Sequence, residues 1–336
     1  MITIKKPGLL TTIQDLGRYG FQKYGVVVGG AMDTVAHRIA NLLVGNEENA
    51  PTLEITLMGP HIEFHEDTLL SICGGDLSPS INGEPVSMWK TIYVKKGSEL
   101  RFGAAKTGCR VNLGIAGGLA VPSVMGSKST YLKAGIGGFN GGAIKQGDKI
   151  STDSISGVAQ HMMGQLKKDM KNQTFVEAEW SIASELIPAF KNDQVIRVMK
   201  GPHYSLFSTS SQNAFFSSRF DVSTQSDRMG YRLKGVPLSL AQPIDMLSEA
   251  VSFGTIQVPS DGNPIILLAD RQTTGGYPKI GQVAAVDLPL LAQAKPGDTI
   301  RFTEITHEEA QILLLQKERK IQLLKKAIEL KLNEGE

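Results

Sequence analysis

Glycine punctuates this chain so often that it fixes the fold class before any motif is read. It occurs 36 times in 336 residues, beside 15 prolines. Between these stops lie short apolar and β-branched runs, such as Leu69 to Ile72, Thr91 to Val94 and Arg110 to Ile115. Short runs bounded by closely spaced turn residues are the signature of β structure. The same texture returns in Val195 to Met199, Arg219 to Val222, Gly254 to Val258, Ile265 to Ala269 and Thr299 to Phe302. The stretch from Gly157 to Thr174 is polar and has no clear period. The expected organisation is therefore mainly β: a lobe over 1–150, a linker or ordered excursion over 151–194, a second β lobe over 195–305, and a helix in 306–336.

Helical patterns are few. A short one covers Ala36 to Val44, with Asp33 placed to cap its start and Gly45 following its end. A longer one covers 307–332. His307, Glu308 and Glu309 open it and Lys325, Lys326 and Lys331 close it, which complements the helix macrodipole. Leu314, Ile321, Leu324 and Ile328 mark one apolar stripe. Lys317 and Lys331 interrupt a clean heptad, so a docked surface helix is expected rather than a coiled coil. One echo links the lobes: K-K-G-S-E-L-R-F-G at 95–103 and K-P-G-D-T-I-R-F at 295–302 both read as a glycine turn entering a strand.

Hydrophobic residues make up 41% of the chain, enough for a full core. Lys plus Arg number 35 against 33 Asp plus Glu, a net charge of +2 that gives no reason to expect a nucleic-acid or membrane-surface partner. The first residues enter strand-like alternation and lack the apolar core of a signal peptide, and no run approaches the ~18 apolar residues of a membrane span. The cysteines are Cys73 and Cys109 alone, so a reducing, cytoplasmic setting is expected and Cys73 reads as core packing.

Four segments are dense in chemistry. The first, Pro7 to Asp33, places Gln14, Asp15 and Arg18 among glycines; they line a ligand loop or brace a hairpin. The second, Ala116 to Gly142, contains M-G-S-K-S-T. It fails the phosphate-loop pattern because Ser127 separates Gly126 from Lys128. An anion nest remains, with Lys128 and Ser129 as donors, or else a plain turn. The third, S-D-R-M-G-Y-R-L, concentrates Asp227, Arg228, Tyr231 and Arg232. Arginine suits bidentate binding of a carboxylate or phosphate, and the plain alternative pairs Asp227 with one arginine to hold a turn.

The fourth, I-I-L-L-A-D-R-Q-T-T-G-G-Y, ends an apolar strand in Asp270, Arg271, Gln272, Thr273 and Thr274, then Gly275 and Gly276. Polar groups at the end of a buried strand commonly line a site. Asp270 is a candidate base or orienting group, and the hydroxyls and glycine amides are candidate anion donors. His61, Glu63 and His65 share one strand face, a geometry open to a metal, but the segment reads as an ordinary edge strand and no metal is expected. V-M-K-G at 198–201 lacks the alanine and second methionine of a biotin-acceptor turn, so no covalently bound biotin is expected.

T-T-I-Q-D-L-G-R, G-A-M-D, A-G-G-L-A-V-P-S-V-M-G-S-K-S-T, S-D-R-M-G-Y-R-L, and I-Q-V-P with L-L-A-D-R-Q-T-T-G-G-Y-P follow one another from Pro7 to Pro278. In that order they resemble the KipA family, also described as the C-type subunits of 5-oxoprolinase. That family is related to the second subunit of allophanate hydrolase and to the carboxyltransferase part of urea carboxylase. Two positions depart from the pattern: Gly142 stands where an arginine is expected, and His203 where a glutamine is expected.

The resemblance implies two cyclophilin-like β-barrel lobes with a few short helices. It implies two partners, a KipI-like B-type subunit, plus one of A type. It also implies the ATP-driven opening of 5-oxoproline to glutamate, with Mg2+, through a phosphorylated lactam. Asp270, Gln272, Thr273, Thr274 and Asp227 then surround the reacting amide. Arg228 or Arg232 takes the substrate carboxylate, and Tyr231, Lys128, Ser129, Gly275, Gly276 and Tyr277 complete the binding set. Gln14, Asp15 and Arg18 form an opposite wall or the contact to the KipI-like partner. Two alternatives stand beside this. One is a carboxyltransferase subunit served by a separate biotin carrier. The other is a regulatory protein that sequesters a KipI-like kinase inhibitor.

Overall fold

The structure, a computed structural model, describes residues 1–333. The chain divides into two compact units. The first takes Met1–Gly17, Asp33–Pro188 and the chain from Arg319; the second takes Arg18–Met32 and Ala189–Glu318. The excursion of residues 18–32 into the second unit has no counterpart in the sequence reading.

The first unit carries β1 (Ile2–Lys6), β2 (Leu10–Gln14), β3 (Thr52–Thr56), β4 (His61–Phe64), β5 (Thr68–Asp76), β6 (Ser80–Ile81), β7 (Glu84–Pro85), β8 (Ile92–Val94), β9 (Glu99–Arg101), β10 (Thr107–Ile115), β11 (Lys149–Ile150) and β12 (Phe175–Glu177). They form two six-stranded sheets, ordered β11-β1-β4-β9-β6-β7 and β12-β8-β5-β10-β3-β2. Alternate residues of both sheets meet in one core: Ile2, Ile4, Ile62 and Phe64 from one, and Ile13, Leu53, Ile55, Leu70, Ile72, Val111 and Leu113 from the other. This is the period of two expected when each strand buries one face.

Helix α1 (Thr34–Leu43) is capped by Asp33, whose carboxylate accepts from Ala36 N at 2.9 Å. The 151–194 segment is largely built into this unit rather than linking two lobes. It contains α2 (Gly157–Asp169), capped by Ser156, and β12, which pairs with β8. Ala159, Met162 and Leu166 pack with α1 residues in a second core cluster.

The second unit carries β13 (Asp193–Lys200), β14 (Arg219–Val222), β15 (Gly230–Lys234), β16 (Glu249–Ala250), β17 (Thr255–Gln257), β18 (Ile265–Leu267), β19 (Thr274–Gly275), β20 (Lys279–Val283) and β21 (Thr299–Glu304). Seven of these close a barrel in the order β13-β20-β17-β18-β15-β14-β21. Every pair is antiparallel except β13 with β21, whose parallel pairing seals it. Ile196, Val198, Phe220, Leu233, Ile256, Ile266, Ile280, Ile300 and Phe302 fill the interior. α3 (Thr209–Ser217) adds Phe215, stacked 4.8 Å from Phe302, and α4 (Leu288–Ala292) adds Leu291. The echoed turns are alike: Gly97 and Gly297 sit at φ 83° and 92°, where a side chain is strained, and each leads into a strand, β9 and β21.

Helix α5 (His307–Asn333) is docked, on three of the four residues of the expected stripe. Ala310 and Leu313 pack with Ala284, Val286 and Ile305 in the second unit, and Lys317 donates to Val286 O at 2.7 Å. Ile321, Leu324 and Ile328 pack into the first unit. Leu314, read as part of the buried stripe, is exposed. Lys317 occupies the buried line, so it anchors the helix instead of interrupting it. No helix among the described residues is long and apolar enough to cross a membrane.

Candidate functional site

In the first unit the first two dense motifs meet. Asp15 is buried, and its Oδ1 accepts from Ser127 Oγ at 2.7 Å, Ser129 Oγ at 2.5 Å and Gly17 N at 2.8 Å. Its Oδ2 accepts from Lys128 N at 2.6 Å. The G-S-K-S-T segment is thus an anion nest, as its glycine and hydroxyl content suggested, but the anion it holds is the chain's own carboxylate. Lys128 Nζ turns to Asp153 at 3.0 Å. Gln14 is fully buried. Its Nε2 donates to Thr130 O and Thr12 Oγ1, while its Oε1 has no hydrogen-bond partner.

Gln14 also lies on a polar sheet face that the sequence reading missed. Thr12 stands opposite Glu54, Glu54 opposite Asn112, and Gln14 opposite Thr52 across β2, β3 and β10. All are buried. Asn112 accepts from Thr52 at 3.3 Å, and Thr52 meets His37 Nδ1 at 3.0 Å. Burial holds the His37 imidazole neutral, with its pKa pushed down to about 4.

In the second unit the remaining motifs converge at the end of β18. Arg228 and Asp270 form a bidentate pair, Nε to Oδ2 at 2.9 Å and Nη2 to Oδ1 at 3.0 Å, with side chains only 7% and 8% exposed. Arg228 Nη2 also donates to Gly30 O at 2.6 Å, and Gly29 N donates to Ala269 O. The V-G-G-A-M segment is thereby fastened to the D-R-Q-T-T loop. Both Asp270 oxygens face a fixed cation, so its geometry suits holding this junction rather than accepting a proton.

Asp227 is not the partner of Arg228. It accepts from Met229 N and Gly230 N and shapes the turn before β15. Tyr231 is buried in the barrel with its hydroxyl donating to Ala294 O, a packing role, and Arg232 is exposed on β15. Arg18 is buried and belongs to this unit, whereas Gln14 and Asp15 belong to the other, so the three do not act as one cluster.

Arg271 differs from its neighbours. Its Nη1 donates to Leu268 O at 3.3 Å and its guanidinium lies 5.9 Å from the Phe253 ring centre, but its Nε has no hydrogen-bond partner. Burial lowers its pKa from the ordinary arginine value, the mark of a charge short of compensation. Thr273 O accepts from Val251 N, and β19 pairs with β16. A Cβ on Gly275 would press on the end of the Gln257 side chain, which packs against this ladder. Gln272, Thr274, Gly276 and Tyr277 are exposed.

The same ladder walls a cavity of about 510 Å3 lined by Glu249, Ser252, Thr255, Lys279, Gln282 and neighbouring backbone. Lys279 is buried and paired with Glu249, whose carboxyl is held below its usual range by that ammonium. His203 Nδ1 accepts from Lys279 N at 3.0 Å, leaving Nε2 turned toward Glu249 at 3.9 Å. The departure at His203 therefore sits beside this pocket. Gly142 is in an open loop where a side chain would meet almost nothing. His61 and Glu63, considered for a metal, bind Glu99 and Lys5, and His65 bonds Thr3. Both cysteines are buried thiols.

Comparison with known proteins agrees with this architecture. The family "Carboxyltransferase domain, subdomain A and B" matches residues 24–304. The chain is 38% identical over 310 residues to the C-type subunit of 5-oxoprolinase from Haemophilus influenzae, covering 92% of this chain and 93% of that one. It is 39% identical over 311 residues to the protein of the same name from Escherichia coli, with the same coverage. The crystal structure of Kluyveromyces lactis urea carboxylase superposes with a TM-score of 0.85 at 31% identity, over 96% of this chain and 29% of that one.

Proposed function

Because this chain belongs to the carboxyltransferase-domain family and is related along nearly its whole length to 5-oxoprolinase C-type subunits, we propose that it fills that place in an ATP-dependent 5-oxoprolinase. In this reading it works in the cytoplasm with two partners, a KipI-like B-type subunit, plus one of A type. Together they open 5-oxoproline to glutamate and are inactive apart.

The observation that carries the reading within this chain is Arg271. A partly buried guanidinium without a carboxylate partner among the described residues is suited to an anionic ligand, and 5-oxoproline carries one carboxylate. The role first given to Arg228 or Arg232 passes to it, since Arg228 is committed to Asp270 and Arg232 is exposed. Gln272, Thr273, Thr274 and the Gly275 and Gly276 amides then border the lactam, with Lys279 as a second cation nearby. The Arg228–Asp270 pair positions this loop.

ATP and its Mg2+ do not fit the loop first considered for phosphate. Lys128 N and the hydroxyls of Ser127 and Ser129 are already taken by Asp15, and Lys128 Nζ by Asp153. We therefore assign nucleotide binding to a surface other than this nest, and derive no step from it.

The test is 5-oxoproline-dependent glutamate formation with ATP, using the chain alone and then with both partner subunits. Turnover in the full mixture alone is the expected result. The likeness to urea carboxylase supports a second reading, carboxyl transfer with a separate biotin carrier, and the full mixture without turnover would favour it.

A further inference from the structure

One ammonium in the barrel unit is buried where the chain supplies only a removable counter-charge. Lys279, on β20, has its side chain 8% exposed, and its Nζ pairs with Glu249, whose side chain is 51% exposed. An ammonium this far from water needs an anion against it, because a buried charge left alone is strongly unfavourable. The carboxylate that meets the need sits on β16, two residues long, at the end of a stretch, 241–250, that is exposed at nine of its ten positions. Little packing holds it in place, so it can leave. A second donor faces the same spot. Lys279 N donates to His203 Nδ1 at 3.0 Å, which puts the ring proton on Nε2, and Nε2 stops 3.9 Å from the Glu249 carboxylate, beyond hydrogen-bond reach. Glu249 therefore satisfies the lysine and leaves the histidine waiting.

We propose that the cavity beside this pair, about 510 Å3 in volume, binds the carboxylate of a small organic acid, and that Glu249 is a resident plug which the incoming carboxylate replaces. The exchange keeps Lys279 compensated in both states. Two donors, Nζ and Nε2–H, match the two oxygens of one carboxylate. The rest of the wall adds none. The hydroxyls of Ser252 and Thr255 both donate to Gln282 Oε1, at 2.8 and 2.9 Å, and Gln282 Nε2 donates to Phe253 O at 2.8 Å. A phosphate, with more oxygens and more charge to satisfy, finds too few partners here. None of these groups is Arg271, and the test below needs neither partner subunits nor turnover, so its failure would leave the proposed function standing.

The test titrates the purified full chain with sodium acetate at constant ionic strength and follows the 1H–15N signals of the His203 ring by NMR, identified by their loss in His203→Gln. A saturable shift is expected. Glu249→Gln should saturate at about 3- to 10-fold lower acetate, because the plug no longer competes for the site. Lys279→Met should abolish saturation. It leaves Glu249 exposed to water rather than buried, so the variant should fold; if it does not, the Glu249→Gln titration decides alone. Inorganic phosphate should not saturate the shift over the same range. Ring signals that never saturate with acetate, or a Glu249→Gln protein that binds acetate no more tightly than the parent, overturn the proposal and make Lys279–Glu249 a fixed structural pair. Phosphate saturating the signals at lower concentration than acetate overturns the assignment of a carboxylate.

Discussion

Removing the Asp270 carboxylate separates a positioning role from a chemical one. Asp270→Ala leaves the Arg228 guanidinium buried, with two of its donors aimed at empty space where they now sit 2.9 and 3.0 Å from oxygen. Breaking one side of a buried ion pair costs about 3–5 kcal/mol. The surviving bond from Arg228 to Gly30 O places the expectation at the lower end, about 3 kcal/mol, or roughly 4 °C in melting temperature for a chain of this size. Arg228→Ala should also destabilise, by leaving the carboxylate unpaired. The double variant removes both charges, so it should lose less than the sum of the singles, with a coupling of about 2 kcal/mol. Urea unfolding of the four proteins gives these numbers, and turnover in the reconstituted complex gives the functional half. Both single variants should lose activity together if the pair holds the loop. An Asp270→Ala protein with unchanged stability and no turnover, beside a fully active Arg228→Ala protein, would refute the argument and return Asp270 to the chemistry.

Three further outcomes are expected. Arg271→Ala should raise KM for 5-oxoproline about 10- to 100-fold, the value of one charge-assisted contact, while leaving the melting temperature nearly unchanged; an unaltered KM removes Arg271 from the binding set. Asp15→Ala leaves the Gly17 and Lys128 amides without an acceptor, which costs about 4 kcal/mol in unfolding free energy, and a loss below about 1 kcal/mol would mean the nest relaxes around water. His37 takes a proton at about pH 4 when folded and near 6.5 when unfolded, so the unfolded chain binds more protons between those values. Stability from this group is complete above pH 6.5, falls as pH is lowered toward 4, and amounts to about 3 kcal/mol; His37→Gln should flatten the slope of urea midpoint against pH across that window.

The β texture of the chain was legible because alternation and turn residues act locally. Which strands pair was not, since the β13–β21 contact that seals the barrel joins its first and last strands. Asp227 and Arg228 are adjacent in sequence and invite pairing, yet adjacent side chains at a turn diverge, and the partner of Arg228 lies at position 270. The polar residues of β2, β3 and β10 alternate with apolar ones like any solvent-facing set. Alternation reports which side a residue takes, not whether that side is covered. The nest at 126–130 was visible as a glycine- and hydroxyl-rich stretch, but nothing local says that the carboxylate filling it comes from residue 15. On α5 the heptad test failed because Lys317 lies on the buried line and Leu314 does not.

The passage of Arg18–Met32 into the second unit limits how this protein can be divided. A gene fragment beginning at Ala189 would encode all seven barrel strands yet omit Met32, which is fully buried in the barrel's own core, and Gly30, which Arg228 needs as an acceptor. Conversely, a fragment ending at Pro188 would carry those residues with nothing of their own unit to pack against. A cut between residues 188 and 189 is therefore not a boundary for folding: neither half is a transferable module. Duplication, fusion or circular permutation of this protein can preserve it by keeping that segment with the barrel that uses it.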